Sequence, residues 1–278
     1  MSDPKIGLAL GGGSARGLAH IPMLEVFDEM GIKPAAIAGC SIGALMGAAY
    51  ASGIPAKEMR ERALKLLANR VDAAKYVFGA QRARITELLS LKGMTSLHIQ
   101  GEKLVSMSFP EGVAKNIEDT RIPFKVIATD FENIEERVFA SGPMARAVAA
   151  SIAIPGVITA PLIDGRIHVD GGVTNPVPFN HVREGMDIVV AIDVTGRPRS
   201  FKRTHPTNME LAVGSMLIMF HQIADLRRAL SPPDIYIEPP VENFAARDFF
   251  RAKEMLEAAD SVKDKLKRAL EMRINGLS

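Results

Sequence analysis

Apolar positions along the chain alternate between two kinds of pattern. Ile6-Gly7-Leu8-Ala9-Leu10 is an unbroken apolar run ended by Gly11-Gly12-Gly13, as expected of a short buried strand. From about Ala15 to Met30 the period changes. Leu18, Ile21, Leu24 and Phe27 recur at helical spacing, and Gly31 stands where a helix stops. Pro34 to Gly39 predicts a second strand, and Ile42 to Ser52 a small-residue helix closed by Gly53. Pro55 opens a charged helix that runs to about Asn69. Arg70 to Pro110 carries mixed short helical patterns and no clear strand.

The second half of the chain repeats the alternation. Phe124–Thr129 is apolar and β-branched, and Arg137–Phe139 can pair with it as a hairpin. Ala145 to Ile152 predicts a helix. Leu162 to Val169 predicts a tight hairpin, because Asp164-Gly165 supplies residues that tolerate positive φ. Ile188 to Val194 is another buried strand and Ile235–Ile237 a last short one. A single helix is expected from about Arg247 to Ile274, with Met255, Ala259, Val262, Leu266 and Ala269 along one face. Strands alternating with helices predict an α/β protein, a sandwich around a mostly parallel central sheet. With 278 residues and no internal repeat, one large domain accounts for the whole length.

Composition narrows the function. Hydrophobic residues make up 47% and charged residues 24%, enough apolar surface to exclude a disordered chain. One cysteine excludes a disulfide framework and a cysteine zinc site. A net charge of +2, no tryptophan and 5% aromatics argue against nucleic acid as a partner. No metal-ligand cluster or calcium loop is visible, so no cofactor is expected. No run reaches the roughly 18 apolar residues of a membrane span, and the first residues lack the pattern of a signal peptide. A cytoplasmic protein is therefore expected, able to touch a membrane from outside.

Two segments bear on that contact. Thr195 to Asn208 holds Arg197, Arg199, Lys202, Arg203 and His205, with no acid between Asp193 and Glu210. It is first a solvated loop and second a candidate contact for anionic headgroups. Met209 to Leu226 is apolar and Met-rich. Core packing or a homo-oligomer seam is expected of it ahead of an acyl pocket.

The candidate chemistry lies where strands meet helices. Gly39-Cys40-Ser41-Ile42-Gly43 has the G-x-S-x-G spacing of a nucleophile elbow. Its serine sits in a turn so sharp that the residues two before and two after must lack a Cβ. The string alone arises by chance in roughly one in ten chains of this size. Its place between a strand and a helix, whose N-terminus favours negative charge, carries the signal. Gly11-Gly12-Gly13-Ser14-Ala15-Arg16-Gly17 occupies a second such junction. It fails as a dinucleotide fingerprint, since Arg16 and Ser14 stand where glycines are needed and no acid follows near Ala36-Ile37-Ala38. No Lys-Ser or Lys-Thr makes it a P-loop. An anion cradle beside a serine elbow is what remains, the arrangement of an oxyanion hole. Asp170-Gly171-Gly172 is a third junction, delivering a carboxylate at a strand end.

Taken together, these motifs resemble the patatin-like phospholipases, of the small bacterial type. The Arg16-Gly17 glycine loop and the Ser41 elbow come first. Arg146 to Pro155 (Arg-Ala-Val-Ala-Ala-Ser-Ile-Ala-Ile-Pro), Asp170-Gly171-Gly172 and Asn175-Pro176-Val177-Pro178 follow in order. The likeness is strong from Ile6 to Asp193 and weaker through the C-terminal strand and helix of residues 209–278. It implies a three-layer α/β/α fold and a Ser–Asp dyad with Ser41 as nucleophile and Asp170 as base. It also implies an oxyanion held by main-chain amides of the loop Gly11, Gly12 and Gly13 together with Ile42. Lipid or small acyl esters are the implied substrates, phospholipids, lysophospholipids or acylglycerols among them. The alternative from another class is a low-turnover regulatory or interaction protein on the same fold.

A Ser–His–acid triad is the rival mechanism. His20, His98, His168, His181, His205 and His221 are the candidates, and the order Ser, acid, His favours His181, His205 or His221. His20, one helical turn from the glycine loop, can only orient that loop.

Overall fold

The computed structural model describes residues 4–68, 99–196, 207–245 and 248–277. Its strands are β1 (Ile6–Leu10), β2 (Ala36–Cys40), β3 (Ile99–Gln100), β4 (Phe124–Asp130) and β5 (Glu135–Phe139). They continue as β6 (Ile158–Thr159), β7 (Leu162–Ile163), β8 (Arg166–Asp170), β9 (Ile188–Ile192) and β10 (Ile235–Ile237). The helices are α1 (His20–Glu29), α2 (Ile42–Ala51), α3 (Ala56–Leu67) and α4 (Gly101–Ser108). After them come α5 (Met144–Ser151), α6 (Asn208–Leu230), α7 (Ala252–Asp260) and α8 (Lys263–Leu277).

β10, β9, β1, β2 and β4 form a parallel sheet in that order, with β5, β7 and β8 added antiparallel. β3 and β6 make a separate two-stranded pair. β1, β2 and β9 are apolar throughout because both faces of the sheet are covered there. Ile6, Leu8, Leu10, Ile188, Val190 and Ile192 point to one side, against residues of α1, α2, α5, α7 and α8. Ala9, Ala38, Val189 and Ala191 point to the other, against Val177, Phe179, Val182 and, from α6, Ala224. This alternation is the period of two that a strand imposes.

The register along β4 places the site. β5 pairs with Val126–Asp130, so it takes one edge of β4. β2 pairs with Phe124–Ile127 and β8 with Ala128–Asp130, so both must share the other edge. Cys40 ends opposite Ile127, and Asp170, arriving from the opposite direction, ends opposite Ala128. Two strands far apart in sequence thus meet end to end, and the residues at that meeting point are Cys40-Ser41 and Asp170-Gly171.

Some elements differ from the sequence expectation. The stretch after the glycine loop begins as a 3₁₀ turn, Ser14–Ala19, before α1. The tighter winding folds Arg16 back, so that its backbone N–H and its Nε both donate to the Gly13 carbonyl at 3.3 Å. The closing helix is two helices. At the break, the Ser261 and Val262 amides bond only three residues back, to Ala258 and Ala259. The Ser261 hydroxyl also donates to the Ala258 carbonyl, a local bond that competes with helix continuation. Within Arg70–Pro110 only residues 99–110 are described, and they include the short strand β3, which the apolar pattern did not reveal. Most of the basic segment, residues 197–206, lies outside the described residues. The Met-rich run forms α6, with Phe220 and Ala224 buried and Leu211, Ile218, Met219 and Leu226 exposed.

Candidate active site

Ser41 caps α2 with φ 53° and ψ −124°, a left-handed-side backbone that a non-glycine residue adopts only under constraint. The flanking glycines permit this turn. A Cβ on Gly43 would lie 2.1 Å from the Leu10 carbonyl, and one on Gly39 would lie 2.5 Å from the Gly43 carbonyl. β1 and the elbow therefore pack backbone to backbone. This is the close approach the G-x-S-x-G spacing calls for.

The Ser41 hydroxyl donates to Asp170 Oδ2 at 2.7 Å. Asp170 Oδ1 accepts from the Gly172 amide at 2.8 Å, which orients the carboxylate. Both residues are buried. Burial pushes the Asp170 carboxyl up to about 6, against the pull of the Ser41 hydroxyl and the Gly172 amide toward lower values. A carboxylate so poised is a stronger base than a free aspartate, yet it is ionised at neutral pH.

The backbone around the pair is held on several sides. The Ser41 amide donates to Ser151 Oγ at 2.7 Å, and the Asp170 amide donates to the Ala153 carbonyl at 3.1 Å. Thr129 Oγ1 donates to the Asp170 carbonyl at 3.0 Å. None of Ser151, Ala153 and Thr129 was given a role from sequence. Ser151 does lie inside the Arg146–Pro155 stretch on which the family likeness partly rests.

The structure divides the four residues expected in the oxyanion cradle. The Gly11 amide donates to the Ile192 carbonyl at 2.9 Å and the Gly12 amide to the Pro176 carbonyl at 2.8 Å. Both are committed to holding the loop. The amides of Gly13 and Ile42 have no acceptor among the described hydrogen bonds. Gly12 still matters to the site's shape, since a Cβ there would meet the Ser41 Cβ at 3.2 Å. Arg16 is buried beside the loop. Burial lowers its guanidinium to about 10, while the charge of Asp193 acts to raise it, so it stays cationic at neutral pH.

None of the four described histidines bonds to Ser41 or Asp170. His20 Nε2 donates to the Gly11 carbonyl at 2.8 Å, and burial lowers its pKa to about 4, so it is neutral and braces the loop. His168 Nδ1 bonds to the Arg166 carbonyl, and His181 pairs with Glu136. His221 lies between Thr195 and Asp225. His98 and His205 lie outside the described residues. Cys40, next to the serine, is buried, and burial raises its thiol well above the usual range, which makes it a poor nucleophile.

Residues 8–183 match the patatin-like phospholipase family. The chain belongs to that family. An uncharacterized NTE family protein of Mycobacterium tuberculosis is 32% identical over 197 residues, which is 70% of this chain and 50% of that protein. The lysophospholipase NTE1 of Kluyveromyces lactis is 27% identical over 287 residues, covering 92% of this chain and 19% of the yeast protein. This patatin-like chain thus spans half or less of the length of these curated relatives. VipD from Legionella pneumophila shares the fold, with a TM-score of 0.51 at 14% identity over 96% of this chain and 67% of VipD. Like the family, this chain is an α/β protein with helices on both sides of a mixed sheet. Among its described residues no helix is long and apolar enough to cross a membrane.

Proposed function

We propose that the chain hydrolyses acyl esters of lipids through a Ser41–Asp170 dyad and an acyl-enzyme. The reading rests above all on one contact, the Ser41 hydroxyl donating to Asp170 Oδ2 at 2.7 Å from a constrained elbow. Ser41 Oγ attacks the ester carbonyl carbon while its proton passes to Oδ2. A positioned base of this kind contributes about 10²–10⁴-fold. Charge builds on the carbonyl oxygen, and the amides of Gly13 and Ile42 are the donors for it. One such donor is typically worth about 2.7–4 kcal/mol of barrier. The intermediate then expels the alcohol, which takes the proton back from Asp170. Water attacks the acyl-serine, giving its proton to the same carboxylate, and as the acid leaves that proton returns to Ser41 Oγ, which restores both residues.

His20 and the committed amides of Gly11 and Gly12 play a different part, fixing the loop so that Gly13 needs no rearrangement during the reaction. The name of the yeast relative points to lysophospholipids as the first substrates to try. Purified protein is offered lysophospholipids, diacyl phospholipids and acylglycerols, with Ser41→Ala as control. Release of fatty acid by the wild type alone supports the proposal. Equal background release by both proteins from every lipid contradicts it.

A further inference from the structure

The Arg146–Pro155 stretch has no part in the chemistry just described, yet its middle touches the backbone of both dyad members. We propose that Ser151 is a positioning residue that, together with Ala153, sets the separation of Ser41 and Asp170. The inference rests on the hydrolase reading above and adds to it the device that holds the dyad together.

Ser151 is the last residue of α5 and is fully buried. A buried hydroxyl is costly unless bonded, and this one is bonded twice. It sits between the Ile127 carbonyl and the Ser41 amide. A carbonyl can only accept and an amide N–H can only donate. The hydroxyl proton therefore goes to Ile127, and a lone pair faces Ser41. Ile127 is the β4 residue in register with Cys40, so the bond ties the elbow and α5 to the same point of the sheet. Gly171 reaches that point too, since a Cβ on it would lie 2.2 Å from the Ile127 carbonyl. Two residues beyond Ser151, the Ala153 carbonyl receives the Asp170 amide. One three-residue segment thus grips the main chain of both partners.

The grip matters because the Ser41 backbone is strained. A residue at such dihedrals costs on the order of 1–3 kcal/mol and persists only where its surroundings over-determine it. Among the described hydrogen bonds, Ser151 Oγ is the acceptor the Ser41 amide has. Without it, the Ser41 N–H and the Ile127 carbonyl each lose a buried partner, and rotation of the elbow carries Oγ away from Asp170. A misplacement of about 1 Å can cost on the order of 10²-fold in rate. Substrate binding away from the elbow is untouched.

The test compares wild type, Ser151→Ala and Ser151→Cys on one soluble ester. Cysteine fills nearly the same volume with a weaker acceptor and carries the comparison if the alanine variant does not fold. The expected order of kcat is wild type, cysteine, alanine, with alanine down about 10- to 100-fold and KM within about two-fold. The acid limb of kcat/KM also moves to higher pH in the variants. The Ser41 hydroxyl bond that pulls the Asp170 carboxyl down is lost, while the Gly172 amide bond and the neighbouring Cys40 thiol on β2 are unchanged. Unchanged kcat in both variants overturns the proposal, as does a loss that leaves the acid limb in place. If the wild type turns over no ester and Ser41 takes no fluorophosphonate, the hydrolase reading itself falls. An active wild type with equally active variants removes only the positioning role.

Discussion

Ser41 and Asp170 stand 129 positions apart in the chain, and the serine hydroxyl donates to the aspartate carboxylate at 2.7 Å. The contact follows from strand register. β2 and β8 approach each other along one edge of β4, ending opposite the consecutive residues Ile127 and Ala128. Whatever follows β2 must meet whatever ends β8.

With Asp170 as the proposed base, its burial sets the expected pH dependence of activity. The base must be ionised, and its carboxyl is pushed up to about 6. kcat/KM is expected to rise with pH through about 6 and then level off. An acid limb near 4, the value of a free aspartate, contradicts the buried-base assignment.

The same burial makes Asp170 a cost to stability. Its folded pKa lies above its unfolded one, so between about pH 4 and 6 the folded state binds more protons, and stability falls as pH rises through that window. Asp170→Asn removes the charge. It is expected to abolish ester hydrolysis and, at pH 8, to raise stability by about 2–3 kcal/mol, judged from a shift of about two pKa units. The gain shrinks to nothing below about pH 4. Thermal melts at the two pH values check this, and a variant less stable than wild type at pH 8 contradicts it.

His20 braces the loop, and the proposed dyad gives it no proton to take. His20→Ala is expected to lower kcat about ten-fold through a looser Gly11 carbonyl, a loss well short of that of Ser41→Ala. His181→Ala and His221→Ala are expected to do less. Any histidine variant as inactive as Ser41→Ala points to a triad in place of the dyad, and a side-by-side ester assay decides it.

The elbow glycine Gly43 and Gly171, next to Asp170, leave no room for a side chain. Gly43→Ala drives a methyl into the Leu10 carbonyl, and Gly171→Ala drives one into the Ile127 carbonyl. Each is expected to cost about 3 kcal/mol or more, the upper range for forced overpacking. Urea unfolding measures it, and wild-type midpoints for both variants contradict the packing described.

Much of the frame was legible in the sequence, because its signals are local. Unbroken apolar runs marked β1 and β9, Asp164-Gly165 marked the β7–β8 hairpin with both residues at positive φ, and Gly39 and Gly43 marked the elbow. What stayed hidden depends on contacts between distant segments. Nothing near Gly11 and Gly12 reveals that their amides are spoken for by Ile192, on the neighbouring strand β9, and by Pro176, both far along the chain. Ser151 looks like any small residue at a helix end until β4 and the elbow are packed around it. The break at Ser261 was missed for a different reason: the apolar face continues across it, so periodicity alone predicts one helix.

The dyad is tested most directly by the rate at which a fluorophosphonate probe labels the protein, followed by intact mass and peptide mapping. The account predicts one adduct, on Ser41, and labelling of Asp170→Asn slower by at least about 10²-fold, the lower end for loss of a positioned base. An adduct on another residue, or equal rates in the two proteins, contradicts it.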